Sequence, residues 1–313
     1  MATETNVALL GYGTVGAAVD QLLVASADDI ERATGHRLRL TRALVRDPSR
    51  HPAAPAGLLT TEFEEIAGDP SIAVVAEVMG GLEPAGPYVL DLLARGKHVV
   101  TANKQLVARR APELYAAAAA SGVQLRFEAS VCAAIPVIKV LREALVVTNV
   151  HRVLGIVNGT TNFVLTEMEG GATYADALAD AQARGYAEAD PSDDVSGADA
   201  AAKMAIIATT AFGQLVTLDD VAYEGITQLD PADLEQERRR GRSIRLVGMA
   251  TADRVEVRLM PLEADHPLKA VDGVTNAVLI EGEGFERITL SGPGAGGPAT
   301  AAAVIADLVE FLR

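Results

Sequence analysis

Apolar and polar positions along the chain fall into two regimes. Residues 6–10 (NVALL) form a short apolar run that stops at the glycines of GYGTVG (11–16), and apolar positions then recur at helical spacing to about Thr34. Arg37–Val45 alternates as a strand does. Ile72–Val78 is an apolar run but for Glu77, as a parallel strand covered on both faces would be. Pro84–Arg95 reads as a helix with Gly96 at its stop, His98–Thr101 as a strand, Pro112–Ser121 as a helix and Gln124–Glu128 as a strand. Strands alternating with helices predict βαβ units and a parallel sheet.

Beyond about residue 130 the rhythm changes. Pro136–Ala144 reads as helical and His151–Val157 as a strand. Thr160–Met168, Tyr174–Arg184 and Gly197–Phe212 read as helices, with Thr173 and Asp176 as a helix-start pair and Gly185 as a stop. Strand-like runs at 244–250, 254–260, 275–281 and 285–290 sit among turns, and Pro298–Leu312 is a last helix. The expected fold class is α/β: a Rossmann-type parallel-sheet nucleotide-binding domain, residues 1–131 and 292–313, with the last helix returning to it. Residues 132–291 would form a mixed α+β domain.

Composition narrows the function. A chain of 313 residues, 49% hydrophobic, is long enough for two cores. Its net charge of −15 argues against a nucleic-acid partner, which would need clustered cations. No apolar run is long enough to span a bilayer, the start lacks a cationic-then-apolar leader, and a lone Cys132 fits a reducing compartment, so a cytoplasmic protein is expected.

The glycine loop follows a strand and opens a helix, the context a dinucleotide fingerprint requires. Gly11 would permit the tight turn, Gly13 the approach of a pyrophosphate, and Gly16 close packing of helix on strand; Thr14 and Val15 lie at the helix N-terminus, which offers free N–H groups to phosphate. The second strand ends in Arg46-Asp47-Pro48-Ser49-Arg50. Arg46, helped by Arg50, could hold a 2′-phosphate, which favours NADP; with Asp47 as a ribose ligand instead, NAD would be taken.

Five of the 27 basic residues are lysines: Lys97, Lys104, Lys139, Lys203 and Lys269. A chain that uses arginine where charge suffices makes its lysines candidates for proton chemistry. Lys104 closes Thr101-Ala102-Asn103-Lys104, directly after a strand, where parallel sheets bind ligands. Gly80 and Gly81, at the end of the preceding strand, would admit a cofactor.

Between Gly185 and Lys203, nineteen positions carry Glu188, Asp190, Asp193, Asp194 and Asp199. Crowded carboxylates repel and are costly to bury, so a bound amine is the economical explanation. Asp199 and Lys203 are also spaced as a helical i,i+4 pair, with Ser196 to Asp199 resembling a capping box; that purely structural reading leaves the other carboxylates unexplained.

Taken together, GYGTVG (11–16), EVMGGLEPA (77–85), GKHVVTANK (96–104), FEASV (127–131), IVNGTTNFVL (156–165) and A-x-x-x-G-Y-A-x-x-D-P-x-x-D-V-x-G-x-D-x-x-x-K (181–203), with DHPL (265–268), VTNAV (274–278) and the GPGAGG run (292–297), resemble homoserine dehydrogenases nearly end to end. The resemblance implies reversible NAD(P)-dependent interconversion of L-homoserine and L-aspartate 4-semialdehyde, a step toward threonine and methionine. It implies Lys203 and Lys104 as acid/base groups with Asp199 beside them. Glu188, Asp194, Tyr186, Gly159 and Thr160 would take the substrate. Gly11, Gly13, Thr14, Val15, Gly16, Arg46, Arg50, Gly80, Thr101, Asn103, Lys104 and Gly292 would take the cofactor. Glu128 with the carbonyls of Val131, Ala133 and Ile135 would hold a monovalent cation, sodium. A homodimer is implied as well, with residues 132–291 as the substrate-binding and dimerisation domain.

The chain departs from the family in one place. Ala133-Ala134 stands where glycine is usual, adding a methyl where cofactor or substrate should approach. That change is the sole support for a second reading, a dinucleotide-binding regulator without catalysis; a dehydrogenase of a related amino-acid semialdehyde is a third. Many relatives carry a C-terminal ACT domain after the last helix, and since the sequence ends at Arg313, threonine feedback through one is not expected.

Overall fold

A computed structural model describes residues 3–312. The chain divides into two compact units: the first runs to Ala134 and resumes at Gly296, and the second is Ile135–Ala295. Among the described residues the strands form two six-stranded sheets, one in each unit.

The first sheet is parallel throughout. Its strands are β1 (Thr3–Leu10), β2 (His36–Leu44), β3 (Leu59–Thr60), β4 (Ile72–Glu77), β5 (His98–Thr101) and β6 (Leu125–Arg126), in spatial order β3-β2-β1-β4-β5-β6. This is the doubly wound order, in which the crevice at the carboxyl ends of β1 and β4 takes the ligand. Burial explains the apolar runs: Val7 to Leu10 are wholly inaccessible, and Val7 and Leu9 pack with Val19, Leu23, Val74, Ala76, Val100 and Val304 in one core. The last helix, Gly297–Glu310, lies against helix Thr14–Ala25; a Cβ on Gly297 would come within 2.9 Å of Thr14 Cγ2.

The second unit holds β7 (Val150–Ile156), β8 (Ala222–Tyr223), β9 (Ser243–Ala250), β10 (Val255–Leu262), β11 (Thr275–Gly282) and β12 (Phe285–Pro293), in order β12-β11-β7-β9-β10-β8. Its pairings are antiparallel except β8 with β10. Helix Ala198–Phe212 packs on this sheet so closely that a Cβ on Gly248 would meet Met204 at 2.3 Å. Leu154, Ile156, Val247, Leu262, Leu268 and Leu279 form a further core on this unit, with Met249 and Met260 only partly covered.

The α/β class and the two regimes follow the sequence pattern. Local differences have local causes. The helix read from Pro112 begins at Lys104, because Asn103 caps it by accepting from Leu106 N at 3.1 Å; Pro112 is tolerated at a kink where Arg110 leaves helical geometry. Pro136–Ala144 is one short helix, Val137–Lys139, that widens into a π turn over Val140–Ala144.

Candidate active site

In the first unit the glycine loop takes the shape its spacing asks for. Gly11 has φ +104°, and Gly11 N donates to Leu44 O at 2.9 Å, tying the ends of β1 and β2. A Cβ on Gly16 would lie 2.4 Å from Gly11 O, so only glycine lets the helix approach the strand. A Cβ on Gly13 would meet nothing within 4 Å, and Gly13 caps helix Thr14–Ala25 without any side-chain bond. This cradle fits a dinucleotide pyrophosphate. Arg46 and Arg50 stand exposed just past β2, and the His51 ring meets Tyr12 of the glycine loop edge-on at 5.8 Å. Asp47 is turned inward on its own loop: Oδ1 accepts from Ser49 N at 3.0 Å and from Ser49 Oγ at 2.7 Å.

The carboxyl ends of β4 and β5 are joined through a residue that sequence reasoning passed over. Glu77 is wholly inaccessible and accepts from Met79 N, Gly80 N and Thr101 Oγ1. Asn103 Nδ2 donates to Gly81 O at 2.6 Å, and Lys104 follows as the first residue of the next helix. Gly80, Thr101, Asn103 and Lys104 are thereby gathered at one edge.

In the second unit β7 ends at Ile156 and runs into Asn158, the hub of the acidic motif. Asn158 Nδ2 donates to Asp194 Oδ1 and to Asp199 Oδ2, each at 2.7 Å, while its Oδ1 caps helix Gly159–Glu169 by accepting from Thr161 N at 2.8 Å. Lys203 Nζ donates to Asp199 Oδ2 and to Val157 O, both at 2.7 Å. Both side chains are nearly covered, at 12% and 6% exposure, so this is no solvated helical pair. Burial first, then the neighbouring Asp199, raises the Asp194 carboxyl above its ordinary pKa. Thr160 Oγ1 donates to Tyr186 O at 2.7 Å, bringing Gly159, Thr160 and Tyr186 to the same cluster. Glu188 is exposed; its backbone carbonyl accepts from Gln182.

The helix bearing Asp199 and Lys203 has no capping box. Gly197, at φ +85°, is its cap, with no side-chain bond. A Cβ there would lie 2.3 Å from Glu224 O, and one on Gly225 would lie 2.2 Å from Val195 O. These two glycines interlock the end of the acidic loop with the segment after β8, and Ile226 N donates to Val195 O at 2.9 Å.

The remaining chemistry sorts itself by geometry. Lys97 is buried and donates to Asp69 O and Ile72 O, Lys139 pairs with Glu143, and Lys269 donates to Gly241 O. His266 caps the turn Pro267–Ala270, accepting from Leu268 N at 3.2 Å. Glu128 is buried, and its N–H donates to Asp307. Cys132 and Ala133 are buried with φ +55° and +44°. Glycine would adopt that conformation freely; for each of these residues it costs about 1 kcal/mol or more. Gly292 lies on β12 opposite Asn276. Among the described residues no group of His, Cys, Asp and Glu could hold a metal ion between them, and no helix is long and apolar enough to cross a membrane.

The relationships of the whole chain show its family. The homoserine dehydrogenase family model matches residues 136–309, and the NAD-binding domain model of the same enzymes matches 11–128. The chain belongs to the homoserine dehydrogenase family. The homoserine dehydrogenase of Mycobacterium tuberculosis is 47% identical over 318 residues, covering 98% of this chain and 72% of that one; the Bacillus subtilis enzyme is 41% identical over 315 residues, covering 98% and 73%. The crystal structure of the homoserine dehydrogenase from Thiobacillus denitrificans superposes with a TM-score of 0.96 at 42% identity, over 100% of this chain and 74% of that one. A hyperthermophilic archaeal homoserine dehydrogenase in complex with NADPH superposes with a TM-score of 0.85 at 28% identity, over 98% and 97%. This chain is accordingly an NAD(P)-dependent oxidoreductase acting on the homoserine hydroxyl. The regulator and the related-semialdehyde dehydrogenase find no support in these relationships.

Proposed function

We propose that the cluster around Asn158, Asp194, Asp199 and Lys203 is the homoserine site, and that Lys203 and Lys104 serve the substrate oxygen. The observation that carries this reading is the Lys203 amine, held by Val157 O and the buried Asp199, which Asn158 links to the half-buried Asp194. Homoserine brings an ammonium, a carboxylate and a primary alcohol. Asp194 and Glu188 suit the ammonium, with Gly159, Thr160 and Tyr186 shaping the pocket. The nicotinamide supplies hydride chemistry when bound. During oxidation a neutral lysine takes the hydroxyl proton; in the reverse direction the protonated amine steadies the oxyanion and returns the proton. Asp199 orients the Lys203 amine.

The cofactor we assign is NADP, carried by Gly11, Gly13, Thr14, Val15, Gly16, Gly80, Thr101, Asn103, Lys104 and Gly292, with Arg46 and Arg50 for the 2′-phosphate. Asp47 Oδ1 is already taken by Ser49 N and Oγ, which supports NADP over NAD by occupying one oxygen of the carboxylate a ribose would need. The same reading makes residues 1–131 with 292–313 the dinucleotide domain and 132–291 the substrate and dimerisation domain, places the protein in the cytoplasm as a homodimer, and gives sodium to Glu128 with the carbonyls of Val131, Ala133 and Ile135. A buried Glu128 carboxylate and the half-covered Met249 and Met260 favour these last two points. Initial rates with homoserine and NADP or NAD separately test the assignment. Turnover with a lower KM for NADP supports it; tight cofactor binding without turnover refutes it.

A further inference from the structure

Glu77 is a carboxylate that the proposed chemistry leaves unused, and it is costly. It is wholly inaccessible, and its partners are neutral donors. Oε1 accepts from Met79 N at 2.8 Å and Gly80 N at 3.2 Å, and Oε2 accepts from Thr101 Oγ1 at 2.5 Å. The Thr101 hydroxyl in turn accepts from Asn103 N at 3.0 Å. Asn103 returns to the first segment through Gly81 O, and Ala102 N donates to Glu77 O at 3.0 Å. The bonds close a ring between the turn after β4 and the turn after β5. Gly80 and Gly81 are held at φ +75° and +72°, a conformation the ring imposes on exposed backbone.

We propose that Glu77 is a positioning residue for the cofactor: it clamps residues 79–81 to residues 101–103 so that both turns meet the dinucleotide already formed. The proposal rests on the cofactor reading above. An amide cannot replace the carboxylate here. In a glutamine, Oε1 could still take the two N–H groups, but Nε2 would face a hydroxyl that already receives Asn103 N–H. The Thr101 proton would then lose its acceptor in a buried site. A preformed cradle avoids the cost of ordering backbone on binding, so loosening it weakens cofactor binding selectively.

The test is fluorescence titration of NADPH into wild-type, Glu77→Gln and Thr101→Val enzyme, with homoserine KM measured at saturating cofactor. Thr101→Val removes the bridging hydroxyl at equal size, and it carries the test if Glu77→Gln does not fold. The expected result is an NADPH Kd raised about tenfold in each folded variant, with homoserine KM changed less than about twofold. A Kd within about twofold of wild type, or an equal loss in homoserine KM, overturns the positioning role. Failure of the wild-type enzyme to bind NADPH overturns the cofactor reading itself.

Discussion

Asp194 and Asp199 share one hydrogen-bond donor, the Asn158 amide nitrogen, which lies 2.7 Å from an oxygen of each. Two carboxylates drawn that close repel; Lys203 bonds to Asp199 Oδ2 at 2.7 Å, and its charge offsets only part of the rise at Asp194. Burial and Asp199 together raise the Asp194 carboxyl. The folded chain therefore keeps that proton at a pH where the unfolded chain has lost it. This group's contribution to stability falls as pH rises from the unfolded value of 3.8 through the raised folded value, and above both it is a net cost. Asp194→Asn removes that cost. We expect its Tm to exceed wild type by about 2–4 °C at pH 7, with the gap closing as pH is lowered toward the unfolded value. Homoserine KM is expected to rise about tenfold. Calorimetry across pH, with homoserine saturation curves, checks both; a lower Tm at pH 7 would show that Asp194 is not strained by its neighbour.

The interlock of Gly197 and Gly225 puts the acidic loop in register with its helix. A methyl on Gly225 would sit 2.2 Å from Val195 O and 2.7 Å from Ser196 Cα, both backbone atoms that cannot swing aside. Gly225→Ala should displace the loop that carries Asp194. Homoserine KM is expected to rise more than about fivefold while NADPH binding is unchanged. Equal effects on both ligands would contradict a local displacement.

Arg46 and Arg50 make cofactor choice separable from catalysis. Charge-assisted contact with a 2′-phosphate is strong, and NADH has none to offer. Arg46→Glu should raise the KM for NADPH about tenfold or more and leave that for NADH within about twofold. Matched losses for the two cofactors, read from initial rates, would count against a 2′-phosphate role.

Sequence pattern carried much of this fold because both of its periodicities are strong. The apolar run that Glu77 closes, from Ile72, and the helical spacing after Gly16 reflect a strand buried in its sheet and a helix against it. The acidic motif flagged Asp194, Asp199 and Lys203 because charge density survives in the sequence without the fold. Asn158 and Glu77 carried no such mark. Asn158 precedes a helix, where asparagine is an ordinary cap, and its bonds to Asp194 and Asp199 span 36 and 41 residues. Glu77 closes a run of apolar residues, and its partner Thr101 is 24 residues away. Polar groups that act through long-range bonds become legible only when the strands that bear them are side by side. The helix start at Gly197 misled for a related reason. Ser196 mimics a cap locally, yet the fold chose glycine there because Glu224 O leaves no room for a Cβ.

The most direct test of the site is the rate at which L-aspartate 4-semialdehyde is reduced by NADPH in the Lys203→Ala enzyme. If the Lys203 amine steadies and protonates the substrate oxygen, kcat should fall at least about 100-fold, while NADPH Kd and semialdehyde KM stay within about threefold of wild type. A Lys203→Ala enzyme that turns over at the wild-type rate would contradict the account.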